Sequence, residues 1–191
     1  MERLGHTTSV VHRRVSVECC QPLSFSVGPL VVRTMVGQIA ERVFMNTPIT
    51  YHTDERLTIE EYIDFLKRSD LGSMYPKQRF YARIGCLLQH AAVMITARTT
   101  EGILVGVCLG LTDFAYFLYL TDIGVDRAYT RQGIGSRMLA LAHEHAGGEE
   151  DICIITWSNE NATGFYEAYG MQPLKTARAK ECTQWEAFTV V

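Results

Sequence analysis

The stretch Ile123-Gly-Val-Asp-Arg-Ala-Tyr-Thr-Arg-Gln-Gly-Ile-Gly135 runs from an apolar strand into a loop of small and basic residues, and the loop opens a helix. Arg131, Gln132, Gly133, Ile134, Gly135 and Ser136 make the bend. The first turn of a helix carries N–H groups without intrahelical partners and a partial positive charge, and glycine lets an anion approach without meeting a Cβ. A diphosphate suits such a bend. Two well-known diphosphate sites do not match it. No Gly-Lys-Ser/Thr ending follows, so the lysine and Mg²⁺-binding hydroxyl of a P-loop are missing, and the third glycine of a dinucleotide fingerprint would fall at Met138. Just upstream, Asp122 interrupts the apolar strand. A buried carboxylate must be paired or have its pKa raised, so Asp122 is either a tuned base or a carboxylate bonded to backbone.

About twenty-five residues beyond the loop comes Trp157-Ser-Asn-Glu-Asn-Ala-Thr-Gly-Phe-Tyr-Glu-Ala-Tyr-Gly-Met171. Together the two segments resemble the GNAT superfamily of N-acetyltransferases, whose pyrophosphate loop reads Arg/Gln-x-x-Gly-x-Gly/Ala and whose later helix carries Asn…Ala…Phe-Tyr-Glu-x-x-Gly-Phe. The likeness runs from about Ala91 to Pro173. One departure stands out: the head of the loop motif is Thr130, with the basic residue displaced to Arg131.

The resemblance implies acetyl-CoA as cosubstrate, no metal, and direct transfer to a primary amine. It implies that Tyr166 protonates the departing CoA thiolate. By the same likeness Asn159 contacts the pantetheine arm or orders a water, and Asp122 is the base or amine anchor, with Asp113, Tyr119 and Glu160 as competitors. Two central parallel strands are expected to splay. The freed edge at Ile123, Gly124 and Val125 then bonds pantetheine through its backbone, and Arg131 to Ser136 cradle the pyrophosphate. Packing of Tyr166 in its helix, an N-cap at Asn159 and a solvated Arg131 are the plainer alternatives. A non-catalytic acyl-CoA sensor or partner module is the alternative, slightly favoured by Thr130, whereas retention of Tyr166 and Asp122 favours the enzyme. The acceptor is an amine-bearing small molecule or protein that the motifs do not choose, and a homodimer is one assembly state open to the chain.

The elements that must hold these residues follow from periodicity. Residues 1–22 show no sustained period and read as a poorly ordered lead-in to one domain over 23–191. Leu23 to Arg33, with Pro29 inside, reads as an edge strand or two short pieces, and Met35, Ile39, Val43 and Phe44 as a helix stopped at Asn46-Thr-Pro48. Thr58 to Arg68 predicts a helix with Thr58 as N-cap and Glu61 completing a capping box. A loop spans Asp70 to Gln78, and Arg79 to Gln89 is helix or irregular connection. A hairpin follows, with strands at Ala91–Arg98 and Ile103–Leu111.

Tyr116 to Val125 predicts a central strand covered on both faces, with Phe114, Tyr116, Phe117 and Tyr119 as aromatic core or acceptor pocket. Gln132 to Ala146 predicts a helix with Ile134, Met138, Leu141, Ala142 and His145 on its buried face. Asp151–Thr156 is a parallel strand, Ser158 or Asn159 caps a helix to Tyr169, and strands near Met171–Leu174 and Trp185–Val191 close the sheet. The expected class is α/β (α+β), a mixed, mostly antiparallel sheet with helices on both faces.

Bulk properties narrow the function. The 191 residues, 47% hydrophobic, suffice for one full core, and a net charge of −3 argues against a broad nucleic-acid-binding face. No run approaches the ~18 apolar residues of a membrane span. Six cysteines lack disulfide or zinc spacing and are expected as reduced, mostly buried thiols, with Cys153 in the core. The six histidines show no metal spacing either. A cytoplasmic location is expected, with Arg3, Arg13 and Arg14 leaving an organellar transit peptide as the alternative.

Overall fold

The structure, a computed structural model, describes residues 48–180, 182, 183 and 185–191. The expected lead-in over 1–22, the strand at Leu23–Arg33 and the helix ending at Phe44 lie outside these residues.

The described residues fold as strand β1 (Ile49–His52), helices α1 (Ile59–Arg68) and α2 (Phe80–His90), strands β2 (Val93–Thr99), β3 (Leu104–Thr112) and β4 (Phe117–Val125), helix α3 (Ile134–Ala146), strand β5 (Cys153–Thr156) and helix α4 (Thr163–Ala168). The five strands form one sheet in sequence order. Neighbours are antiparallel except β4 and β5, which pair in parallel because α3 carries the chain back between them. β1 has no counterpart in the sequence reading. Ile49-Thr-Tyr-His is too short to show alternation, and its pairing with β2, from Ile49↔Thr99 to His52↔Thr96, makes it a strand.

Helix α1 forms where the pattern placed it. Tyr62, Ile63, Phe65 and Leu66 line its buried face, and Thr58 Oγ1 accepts the Glu61 N–H at 3.1 Å. The capping box stays half made, since the Glu61 carboxylate pairs instead with Arg98 of β2 at 2.7 Å. Residues 79–89 resolve to helix, with Ile84 and Leu88 inward. Helices α1 and α2 cover one sheet face, packing on Met94, Val107 and Leu109, while α3 covers the other, packing on Ile95, Cys108, Leu118 and Leu120.

Several expectations need correction. The buried stripe of α3 is Ile134, Met138, Leu139, Ala142, His143 and Ala146, so the helix is turned about one position from the expected face and His145 is exposed. His143 Nε2 donates to the Ile152 carbonyl at 2.8 Å, which gives this buried ring a polar partner. The first part of β4 is open on one face. Phe114, Tyr116, Phe117 and Tyr119 are 57%, 69%, 50% and 41% exposed, so they are not core. Cys153 pairs with Phe117 at this open margin and is exposed, as are Cys86 and Cys182, leaving Cys108 the one buried thiol among the described residues.

The final strands do not form among the described residues. The tail instead runs beside 72–77 through a bridge of Ala187 with Pro76 and backbone bonds from Lys77 N–H to Glu186, Phe188 N–H to Tyr75 and Val190 N–H to Gly72. Phe188 also meets Phe80 edge-on at 5.1 Å.

Candidate active site

The site grows from the far end of β4. β5 pairs with Phe117 to Leu120 and stops at Thr156, whereas β4 runs on through Thr121 to Val125 with β3 alone beside it among the described strands. Asp126 N–H donates to the Val105 carbonyl of β3 at 2.8 Å. Main-chain groups alternate sides along a strand, so Gly124 turns to β3 and the amides of Ile123 and Val125 turn to the side β5 has left. This is where the parallel pair parts.

The loop beyond is tied down before it reaches α3. Asp126 Oδ1 accepts the Ala128 N–H at 2.9 Å, and its other oxygen pairs with Arg68 of α1. Arg127 donates to Asp70 Oδ1 at 2.8 Å and to the carbonyls of Lys67 and Ser69 at 3.0 and 2.6 Å. Both residues lie in the loop motif, and both fasten it to the end of α1. Thr130 turns its hydroxyl back to the Arg127 carbonyl at 3.2 Å.

The bend itself is open. Arg131 has φ 60° and Gly133 φ 78°, left-handed conformations that turn successive amides towards a common concavity. Gly133 caps α3 without any side-chain bond, and the first backbone bond of the helix runs from Arg137 N–H to Gly133. The N–H groups of Ile134, Gly135 and Ser136 precede it and lie free of backbone acceptors among the described residues. A Cβ on Gly133 would meet nothing within 4 Å, so the space an anion would use is clear. The fit to a diphosphate is good. Arg131 is exposed and Gln132 half-buried.

The other two glycines serve packing. A Cβ on Gly124 would stand 2.6 Å from Leu71 Cδ1, so its bare α-carbon admits Leu71 rather than a ligand. On Gly135 it would stand 3.2 Å from the Phe165 ring, which seats α4 against the start of α3.

Asp122 owes its direction to a β-bulge. Leu109 faces Asp122 and Gly110 faces Leu120, so Thr121 is an extra residue in β4. Without it Asp122 would share the α3 side with Leu118 and Leu120; with it, the carboxylate turns under α1. There Tyr75 donates its hydroxyl to Asp122 Oδ1, and the Tyr62 and Tyr75 hydroxyls lie 2.7 Å apart. Burial raises the Asp122 pKa above the usual carboxylate range, and the hydrogen bond from Tyr75 opposes the rise. Of the competing bases, Asp113 is engaged elsewhere. It accepts the N–H groups of Ala115, Tyr116 and Phe117 at 3.0, 2.8 and 2.9 Å, and these bonds lower its pKa.

Tyr166 lies on α4, half-buried, its ring edge-on to Phe165 at 5.1 Å. Burial raises its pKa, a hydrogen bond with Thr156 lowers it, and the Cys108 and Asp122 charges raise it further. The phenol is held protonated and lies within electrostatic reach of Asp122. Asn159 caps the 3-10 turn Glu160–Ala162 that leads into α4, its Oδ1 accepting the Ala162 N–H at 2.9 Å. Asp122, Tyr166 and the freed β4 edge thus gather where the strands part, the amide bend lies one loop further on, and Gly124 shares the α1 face with Asp122. Sequence reasoning missed Tyr62 and Tyr75. The need for a partner to a buried Asp122 was visible, but which hydroxyl would meet it depends on the bulge.

Among the described residues no three His, Cys, Asp or Glu side chains are grouped as a metal would require. No helix among them is long and apolar enough to cross a membrane.

Comparison with known proteins agrees with this fold. Residues 58–171, more than half of the chain, match the model of the acetyltransferase (GNAT) family. The chain belongs to that family and is an acyltransferase enzyme of N-acetyltransferase type. No curated protein sequence matches it. Among solved structures it is similar to a GNAT family acetyltransferase of Streptococcus pneumoniae, at 21% identity over 71% of this chain and 96% of that one, TM-score 0.53. It is similar to AAC(6')-Iy, solved in complex with the bisubstrate analogue CoA-S-monomethyl-acetylneamine, at 14% identity over 71% and 100% of the two chains, TM-score 0.53. A GNAT family N-acetyltransferase of Escherichia coli in complex with CoA aligns at 13% identity over 66% and 70%, TM-score 0.51. At these identities the likeness establishes the shared fold.

Proposed function

We propose that the protein transfers an acetyl group from acetyl-CoA directly to a primary amine of a small molecule or protein. The supporting observation is the convergence of four features at one parting of the sheet: an uncapped amide bend, a freed strand edge, a buried Asp122 and a protonated Tyr166. In this reading the free amides of residues 134–136 hold the diphosphate, with Arg131 and Gln132 alongside. The Ile123 and Val125 amides hold the pantetheine arm and polarise the thioester carbonyl.

An alkylamine with a pKa near 10.4 is neutral in only about one molecule per thousand at physiological pH, so its proton must be removed. Asp122 takes that proton, directly or through water. The amine lone pair attacks the thioester carbon, the C–S bond of the tetrahedral intermediate breaks, and Tyr166 protonates the departing thiolate. Asn159 steadies the arm with the amide nitrogen its cap leaves over. Exposed free thiols at Cys86, Cys153 and Cys182 suit a reducing, cytoplasmic setting.

The test is release of free thiol from acetyl-CoA with a panel of polyamines, aminoglycosides, amino acids and peptides, and mass spectrometry of the acceptors. Acetylated amine appearing in step with thiol supports the proposal. CoA binding with no turnover of any acceptor would make the protein an acyl-CoA sensor instead.

A further inference from the structure

Asp122 is held by a device that none of the motifs announces. Two tyrosines from separate elements converge on it: Tyr62, fully buried on α1, and Tyr75, in the segment after the 3-10 turn at Asp70–Ser73. Hydrogen-bond direction is fixed by the chemistry. An ionised carboxylate only accepts, so Tyr75 donates to Oδ1 and its own oxygen is left to accept from the Tyr62 hydroxyl at 2.7 Å. Tyr75 is itself held on its far side. The tail bonds to its carbonyl through Phe188 N–H and to Gly72 through Val190 N–H, and Phe80 meets its ring edge-on at 6.1 Å.

We propose that Tyr75, backed by Tyr62, is a positioning residue that orients the Asp122 carboxylate and sets when it takes and gives up a proton. The inference rests on Asp122 being the base of the transfer reaction. Among the described residues the titratable groups that reach Asp122 are Tyr62 from α1, Tyr75, Cys108 from β3 and Tyr166 from α4; all are acids, and no cation is among them. With no positive charge to keep it ionised, the carboxylate depends on donated hydroxyls. A phenol donating to the charged form favours that form, against a burial that favours the neutral one. The relay balances hydrogen bonding against desolvation, and leaves a base able to accept an amine proton.

The experiment compares Tyr75→Phe, Tyr62→Phe and Asp122→Asn with the parent protein by pH–rate profile of kcat/KM and by ¹³C NMR titration of the Asp122 carboxyl. Loss of the phenol hydroxyl should move the acidic limb of Tyr75→Phe upward by about half a unit or more. The NMR titration should move with it, Tyr62→Phe should shift less in the same direction, and KM for acetyl-CoA should stay within about twofold. Adding Tyr75→Phe to Asp122→Asn should cost no further activity, because the hydroxyl acts through the carboxylate. An unmoved Asp122 titration in a folded Tyr75→Phe protein overturns the inference. A limb that survives in Asp122→Asn overturns the base assignment instead, a separate failure that the NMR titration tells apart.

Discussion

At the residue scale the proposed chemistry rests on two groups with opposite duties, one to accept a proton and one to give one. Tyr166→Phe keeps the ring and removes the proton, so kcat should fall about a hundredfold while KM for acetyl-CoA changes by no more than about twofold. Steady-state kinetics at saturating acceptor reads this, and unchanged turnover would take the role from Tyr166. Asp122 makes a prediction about stability. Its folded pKa is raised mainly by burial, so its contribution is fully present below the unfolded carboxylate pKa and is lost as pH rises through the folded value. Each unit of that rise weakens the native state at neutral pH by about 1.4 kcal/mol. Asp122→Asn should therefore melt at higher temperature than the parent at neutral pH, with the difference closing below about pH 4 in a thermal melt series. Asp122 was visible from sequence because a charge in an apolar run must be explained. Its partners were not, because Tyr62 repeats the spacing of helix core and Tyr75 sits among loop residues.

At the scale of elements the three glycines around the loop look alike in sequence and have different work. Gly124 lies under Leu71, and Gly124→Ala should lower stability by about 1–3 kcal/mol through that clash. Gly133 borders open space with φ 78°, so Gly133→Ala adds backbone strain of about 1 kcal/mol and a methyl where the diphosphate would lie. Urea denaturation paired with CoA titration should find the larger stability loss in the first and an affinity loss of about tenfold or more in the second. Equal effects on both would remove the distinction. The long periodic elements, α1, the β2–β3 hairpin, β4 and α3, were legible because each carries its own hydrophobic repeat. β1 was not, since four residues become a strand only through β2. The bulge at Thr121 was not either, although it decides where Asp122 points. The expected closing strand at Trp185–Val191 is instead a tail whose Phe188 and Val190 pack on α2 and residues 72–77, and Leu174 of the other expected strand is exposed.

At the scale of the molecule the sheet is a partition with two cores. α1 and α2 bury one face, and α1 with the segment between them supplies the tyrosines behind Asp122, while α3 buries the other and presents its N-terminus at the bend. The family was legible because its two motifs lie in the segments that meet at the parting of β4 and β5. The acceptor was not, because no motif marks its pocket, and the aromatic margin at Phe117 and Tyr119, exposed in the fold, reads equally as core in sequence. The proposed function depends on the amides of the Arg131–Ser136 bend holding a coenzyme diphosphate on a protein whose net charge is −3. Calorimetric titration of the purified protein with CoA tests that most directly. The account predicts saturable heat at one CoA per chain with a dissociation constant on the order of micromolar, weakened as salt rises. No saturable heat up to about 1 mM CoA would contradict it.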